Sequence, residues 1–434
     1  MRNGAGLDSR DLGARRPTEL QELRTVLLER LQEYEAQNLS IDMTRGKPCA
    51  EQLDLALDML ESVDSTDYSS DGMDCRNYGG LDGLPEAREL FGQFLEVDPD
   101  EIIVGGNSSL AMMYDAVTRA MTHGVVDSHL PWSKLPQVRF LCPSPGYDRH
   151  FSICEHLGIE MIPIEMMADG PDLDHVERVV AEDESVKGMW SVPKYSNPTG
   201  VTFSDEVVDR LAGMKTAAVD FRLFWDNAYT VHHLTGTPAR LREILAACRQ
   251  AGNPDRAFVF GSTSKISFAG SGVALMAGSE RNMELTKRQM AFQTIGPDKL
   301  NQLRHVRFFG NMAGIENHMR KHAAILRPKF DAVLGILEQE LGGKGVATWS
   351  RPAGGYFINL DTLDGCAQAV VRMAAATGVK LTPAGATFPY RKDPQDRNVR
   401  IAPSFPPVEE IQTAMGVVST CIQVVTIDKL LGRV

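Results

Sequence analysis

The fold class predicted for this chain is α/β, with a mostly parallel sheet covered on both faces and a smaller α+β unit beside it. Three observations predict it. Between about residues 85 and 280, short apolar runs alternate with stretches of helical periodicity, the pattern of strands joined by crossover helices. From about 282 to 342 the periodicity is long and helical. After it, strand-like and helical segments mix again on a smaller scale.

Taken in order, residues 1–16 read as a loose tail. Thr18-Glu19-Leu20-Gln21 resembles a capping box, and Leu20, Leu23, Leu27, Leu31 and Tyr34 then recur at helical spacing, predicting an amphipathic helix to about Gln37. Gly46 and Pro48 break the pattern and make residues 38–50 an ordered loop. Helices are predicted near 85–96, 109–122, 148–157, 172–182, 204–214 and 238–250. Strands are predicted at Ile102–Val104, Val138–Leu141, Met161–Ile164, Gly188–Val192, Ala257–Phe260 and Val273–Met276. The last unit holds Gly354-Gly355-Tyr356-Phe357-Ile358-Asn359-Leu360, a helix near 363–376, the strand Val399–Ala402 and a final helix from Val408. The expected division is a tail (1–16), an N-terminal helix and loop belonging to the small domain (17–55), a large domain (56–325) and the small domain (326–434).

Composition narrows the classes of function. Hydrophobic residues make up 43% and charged residues 24% of 434, so a large core can form. A net charge of -12 disfavours nucleic acid as a partner. The seven cysteines form no C-x-x-C pair and no metal-ligand spacing, so no metal is expected. The first residues are polar, which argues against a secretory leader, and no segment is expected to form a membrane span of roughly 18 apolar residues. A cytoplasmic location is expected.

The chemistry concentrates at predicted strand ends, where open α/β sheets bind ligands. Gly261-Ser262-Thr263-Ser264-Lys265 is a turn of small hydroxyl residues with one amine. A lysine nucleophile has to be partly desolvated against a carbonyl carbon, and Ser262, Thr263 and Ser264 supply short donors that suit a phosphate. Asp226 closes the apolar run Phe221–Asp226, where a carboxylate is costly without a partner. A protonated pyridine nitrogen suits it and stays electron-poor in that pairing; a helix N-cap is the ordinary alternative. Tyr229, three residues on, can turn its hydroxyl to the same ring. Asn197 precedes Pro198, which biases it toward extended backbone and directs its amide toward a ring oxygen.

Gly105-Gly106-Asn107-Ser108-Ser109 opens a helix, a natural phosphate cradle. A Walker lysine and a G-x-G-x-x-G run are both missing, which disfavours ATP and dinucleotides. Tyr147 could stack on a ring, and His150 could support Asp226. Arg400, flanked by apolar strand residues, needs an anion; a substrate α-carboxylate or a structural ion pair would serve. Together these residues describe a pocket for an aromatic aldehyde phosphate held as a Schiff base.

In this order and spacing the residues resemble the fold-type I aminotransferases, in the divergent bacterial aspartate aminotransferase branch. The separations are 29 residues from Asn197 to Asp226, 39 from there to Lys265 and 135 from there to Arg400. The resemblance covers about residues 20 to 430. It implies a seven-stranded sheet sandwiched by helices and pyridoxal 5'-phosphate as cofactor. By it Lys265 forms the Schiff base and shuttles the proton, Asp226 pairs with the pyridine nitrogen, and Asn197 and Tyr229 bond the ring hydroxyl. Tyr147 stacks on the ring, with His150 behind Asp226. Ser108, Ser109, Ser262 and Ser264 hold the phosphate, and Tyr78 reaches the phosphate of a neighbouring subunit in a homodimer. Gly46 lies in a loop closing over substrate, and Arg400 takes the α-carboxylate.

The implied reaction is ping-pong transfer of the amino group of aspartate or glutamate to a 2-oxo acid such as 2-oxoglutarate or oxaloacetate. A second cation would grip the distal carboxylate, with Arg149 first and Lys299, Arg45 and Lys47 as alternatives. One departure stands out: the usual phosphate-binding arginine, eight residues after the lysine, is Val273 here. Kynurenine or aromatic amino transfer and C–S β-lyase cleavage remain alternatives on the same scaffold. A regulatory protein using it as a cofactor-binding domain is the remote one.

Overall fold

Apolar residues occupy both alternating positions of the strands at the centre of the molecule. In Arg222–Asp226, Leu223 and Trp225 enter one core cluster and Phe224 the opposite one; in Ala257–Ser262, Ala257 and Val259 enter the first and Phe258 and Phe260 the second. Side chains alternate across a strand, so both sheet faces are buried, as a parallel sheet requires. The computed structural model describes residues 11–433. Its large sheet comprises β1 (Ile102–Val104), β2 (Arg139–Ser144), β3 (Glu160–Glu165), β4 (Val186–Ser191), β5 (Arg222–Asp226), β6 (Ala257–Ser262) and β7 (Ala274–Gly278). The order is β1-β7-β6-β5-β4-β2-β3, with only β7 antiparallel to its neighbours.

The smaller unit has the antiparallel sheet β8 (Ala347–Trp349), β9 (Ile358–Thr362) and β10 (Asn398–Ile401). It is packed by α1 (Pro17–Glu35), the C-terminal half of α4 (Met312–Leu341) and α5 (Val408–Leu430). Two charge-assisted pairs tie these helices together: Arg24 to Asp428 at 2.6 Å and Arg30 to Glu340 at 2.9 Å. The helix α4 enters the large-domain core through Ile315 and Met319 and the small-domain core through Leu326 and Phe330. Two further helices, α2 (Ser109–His123) and α3 (Asp148–His156), begin at the ends of β1 and β2 and face the site.

Several local expectations are corrected. Leu12–Ala14 form a helical turn with Leu12 buried and its N–H bonded to the Lys344 carbonyl at 3.0 Å; the first ten residues of the expected tail lie outside the described residues. The cap of α1 falls two residues earlier than Thr18. The Glu19 carboxylate accepts from the Arg16 N–H at 3.0 Å, because Pro17 has no N–H to lose at the first helical position. The long helical stretch is three helices, Glu280–Met290, Lys299–Phe309 and α4, broken at Gly296-Pro297 and at Gly310, whose φ of +68° ends a helix cheaply. The helix expected at 238–250 starts at Ile244, where the Glu243 carboxylate caps the N–H groups of Leu245 and Ala246. Finally, α5 does have the length and hydropathy of a membrane span, but 83% of its most apolar window is buried in the molecule. Its apolarity serves the small-domain core.

Candidate active site

The ends of β2, β4, β5 and β6 converge on a cavity of about 760 Å³ whose far wall is the small unit. Lys265, Asp226, Tyr229, Asn197, Tyr147, Ser109, Ser262, Arg400, Gly46 and Arg149 all line it. These residues span more than 350 positions of sequence and meet because most of them end or follow a strand of the large sheet, while β10 carries Arg400 in from the small unit.

At the floor, Asp226 is buried at the end of β5. Its Oδ2 accepts from His150 Nε2 at 3.1 Å, which fixes the proton of that imidazole on Nε2. Its Oδ1 is buried and has no partner among the described residues. The His150 ring stacks on Trp190 at 4.3 Å and 8°, so the support behind the carboxylate is rigid. A buried carboxylate oxygen left open in a cavity wall fits a protonated ring nitrogen.

Lys265 projects from the turn after β6. Its Nζ lies 5.1 Å from the Tyr229 ring and 5.8 Å from the Tyr356 ring. Burial lowers its pKa below the ordinary lysine value, with Asp226 opposing, so more of it is the neutral nucleophile than in water. Tyr229 and Tyr147 are both pushed up, first by burial and then by neighbouring negative charge, including Asp226. Both phenols therefore stay protonated and can donate.

Arg400, on β10, is buried and faces the cavity. Its Nη1 donates to Asp148 Oδ1 at 2.9 Å and to Asn197 Oδ1 at 3.3 Å. Its Nη2 donates to Thr382 Oγ1 at 3.2 Å and to the Thr44 carbonyl at 3.4 Å. Its Nε is buried without a partner among the described residues. The Phe357 ring packs 4.8 Å from the guanidinium. Because Asn197 spends Oδ1 on Arg400, its amide nitrogen is the end left to donate to a ligand.

At the opposite end, Ser108 caps α2 by accepting from Ala111 N–H at 3.4 Å, and Ser262 donates to Ser264, which bonds the Asn107 carbonyl. Ser108 and Ser264 thus stand behind Ser109 and Ser262 and are not part of the cavity lining. Val273 is fully buried, its N–H on Thr263 Oγ1 at 2.8 Å; it offers no charge. Tyr78 is 81% exposed on the outer surface. Lys299 is buried with its Nζ on the Gly79 carbonyl at 2.8 Å, outside the cavity lining.

Six cationic side chains line the cavity (Arg45, Lys47, Arg149, Lys265, Arg391, Arg400) against three anionic ones (Asp148, Glu155, Asp226). A positive pocket in a chain of net charge -12 favours small polyanions. Arg391, Asp148, Phe357 and Thr382 escaped the reading of the sequence. Asp148 and Phe357 lie inside runs that were read for their neighbours Tyr147, Arg149 and Gly355, and Arg391 and Thr382 lie outside them.

The model of the family described as aspartate amino-transferase matches residues 16–434. An aspartate aminotransferase of Corynebacterium glutamicum is 48% identical over 391 residues, covering 90% of each protein. The crystal structure of an aspartate transaminase from the same organism superposes with a TM-score of 0.95 at 44% identity, covering 98% of this chain and all of that one. An α-aminoadipate aminotransferase from Thermus thermophilus, complexed with N-(5'-phosphopyridoxyl)-L-leucine, shares the fold at 19% identity and TM-score 0.71, covering 94% of this chain and 96% of that one.

Proposed function

Since the chain belongs to the aspartate aminotransferase family, fold-type I enzymes that depend on pyridoxal phosphate, we propose that it moves the amino group of aspartate or glutamate to a 2-oxo acid such as 2-oxoglutarate or oxaloacetate. The observation that carries the reading is the open Oδ1 of Asp226, held by His150 in the wall of the cavity that Lys265 enters.

The residues fit pyridoxal phosphate. Lys265 would hold it covalently, Asp226 would face its ring nitrogen, Asn197 and Tyr229 its ring hydroxyl, and Tyr147 its ring face. Ser109, Ser262 and the first N–H groups of α2 would take the phosphate, supported by Ser108 and Ser264. The cofactor supplies an electron sink for the bond broken at the amino acid's α-carbon. The protein does the rest. Arg400 and Asn197 fix the α-carboxylate. Lys265, once free and neutral, accepts the α-proton and returns one to the cofactor side, as a positioned base. Tyr229 holds its phenolic proton throughout.

Selection of an acidic side chain needs a further cation, and Arg149 leads because it sits between Tyr147 and His150 and lines the cavity. Breaking a buried charge pair of this type costs about 2–5 kcal/mol, about 30- to 4000-fold in preference. Arg149→Ala is expected to erase most discrimination between aspartate and alanine; unchanged discrimination moves the role to Arg45, Lys47 or Arg391. The enzyme acts as a homodimer in the cytoplasm, with Tyr78 serving the neighbour's phosphate. The deciding experiment is an amino-donor panel with 2-oxoglutarate, followed at the cofactor's absorbance bands. Aspartate and glutamate should each complete a half-reaction without acceptor, and parallel double-reciprocal lines should follow. Pyruvate released from cystathionine without an acceptor would indicate a lyase instead.

A further inference from the structure

Behind Lys265 runs a buried chain of polar groups that the reaction as described does not use. It starts at Cys49, two residues after the cavity-lining residues 44–47, and ends on the turn that carries the lysine. The Cys49 N–H donates to Gln52 Oε1 at 3.2 Å. Gln52 Nε2 lies 2.8 Å from the Tyr356 hydroxyl and 3.0 Å from His322 Nδ1. His322 Nε2 lies 3.0 Å from His318 Nε2, one turn away on α4. His318 Nε2 lies 2.7 Å from the Ile266 carbonyl, where the chain ends; separately, His232 Nε2 lies 3.3 Å from the carbonyl of Lys265 itself. Gln52, Tyr356, His232, His318 and His322 are all buried.

The two main-chain ends fix the hydrogens. A backbone N–H at Cys49 puts Gln52 Oε1 toward it and Nε2 toward His322, so neutral His322 carries its proton on Nε2. A backbone carbonyl at Ile266 demands a proton on His318 Nε2. Burial pushes His322 down to about 3 and lowers His318, so both rings stay neutral. Their two N–H groups, 3.0 Å apart, crowd onto the one Ile266 carbonyl.

Turning the Gln52 amide over relieves that crowding. Oε1 then accepts from Tyr356 and from His322 Nδ1–H, and His318 Nε2–H is shared between Ile266 and His322. The flip sacrifices only the bond to Cys49. Each orientation satisfies one end of the chain at the cost of the other.

We propose that Gln52 is a positioning residue whose amide orientation couples segment 44–49, whose residues 44–47 line the cavity that Arg400 faces, to the turn that holds Lys265. When that segment shifts on a ligand, Cys49 releases Gln52, and the histidines tighten on the turn. The proposal rests on Lys265 being the reactive amine.

The test uses cofactor-free protein, with acetic anhydride as the probe and labelling of Lys265 read by peptide mass spectrometry across pH. Lys265 should react with a midpoint below 10.5 in the unaltered protein. Gln52→Leu and His322→Met each sever the chain, and each should move the midpoint toward 10.5. The double variant should move it no further than one alone, because the two share one path. In the loaded enzyme kcat should fall by about tenfold, with KM for the amino acid within about twofold. Unchanged Lys265 labelling in both single variants, whatever their melting temperatures, overturns the proposal. If Gln52→Leu fails to fold, His322→Met decides alone. The absence of borohydride-fixed cofactor on Lys265 in the unaltered protein is a separate result, and it strikes the functional reading.

Discussion

Asp226 and Arg400 are the two side chains whose charge the site cannot replace. Asp226→Asn keeps the shape and the contact with His150 but removes the charge proposed to face the ring nitrogen, so kcat/KM for aspartate is expected to drop by about 30- to 4000-fold, the 2–5 kcal/mol of a broken buried pair. A loss below tenfold in steady-state assays would mean that Oδ1 faces something other than a cation. Both residues were legible in the sequence for one reason: a charge inside an apolar run is expensive and has to be answered. What answers it was less legible. His150 could be named because it sits one helical turn from the cavity-lining Tyr147. Asp148, 252 positions from Arg400, could not, since nothing local marks a helix N-terminal aspartate as the partner of a distant strand arginine. Gln52 and His322, 270 positions apart, were invisible for the same reason.

At the level of elements, strands and helices were readable where period and length agreed, and boundaries failed where a capping carboxylate or a left-handed glycine, not the pattern, set the end. Glu19, Glu243 and Gly310 are such cases. Segment 44–49 is the element where this matters for function. A Cβ on Gly46 would lie 2.6 Å from Phe357 Cζ, and the Phe357 ring backs the Arg400 guanidinium. Gly46→Ala therefore has to push either the segment outward or the ring into Arg400. Overpacking of this kind costs about 1–3 kcal/mol. Because the strain sits on a carboxylate site, KM for the amino acid should rise by roughly tenfold while the melting temperature drops only a few degrees. Steady-state kinetics beside thermal unfolding checks this; an unchanged KM would place the glycine outside the substrate's path.

At the level of the molecule, two properties follow from what is buried and what is not. His232, His305, His318 and His322 are buried and all are pushed below 6.5 by loss of water, His305 to about 4 and His322 to about 3. Below pH 6.5 the unfolded chain binds protons that the folded one refuses, so their stabilisation is complete above 6.5 and is lost as pH falls toward 3. Each contributes a slope of up to about 1.4 kcal/mol per pH unit. The melting temperature should decline steeply between pH 6.5 and 4.5, and His305→Gln should flatten the slope by one group's share; a level curve there would mean these rings are not held neutral. The second property concerns the surface around Tyr78. Phe292 is 96% exposed and Ile295 62%, and their loop is locked to Tyr78's by backbone contact, since a Cβ on Gly296 would lie 2.4 Å from the Gly79 oxygen. Three large side chains on two interlocked loops make an apolar surface that a second copy of the chain would cover. In an isologous dimer each residue is buried twice. At about 1.5–3 kcal/mol per side chain, Phe292→Ser should weaken the dimer by about 3–6 kcal/mol, at least about 100-fold in Kd. Sedimentation should give twice the 47.7 kDa chain mass for the unaltered protein and a concentration-dependent average for the variant. Tyr78→Phe should leave that mass unchanged and weaken retention of the cofactor phosphate. A monomer that holds its cofactor fully would refute both the shared site and the role of these loops.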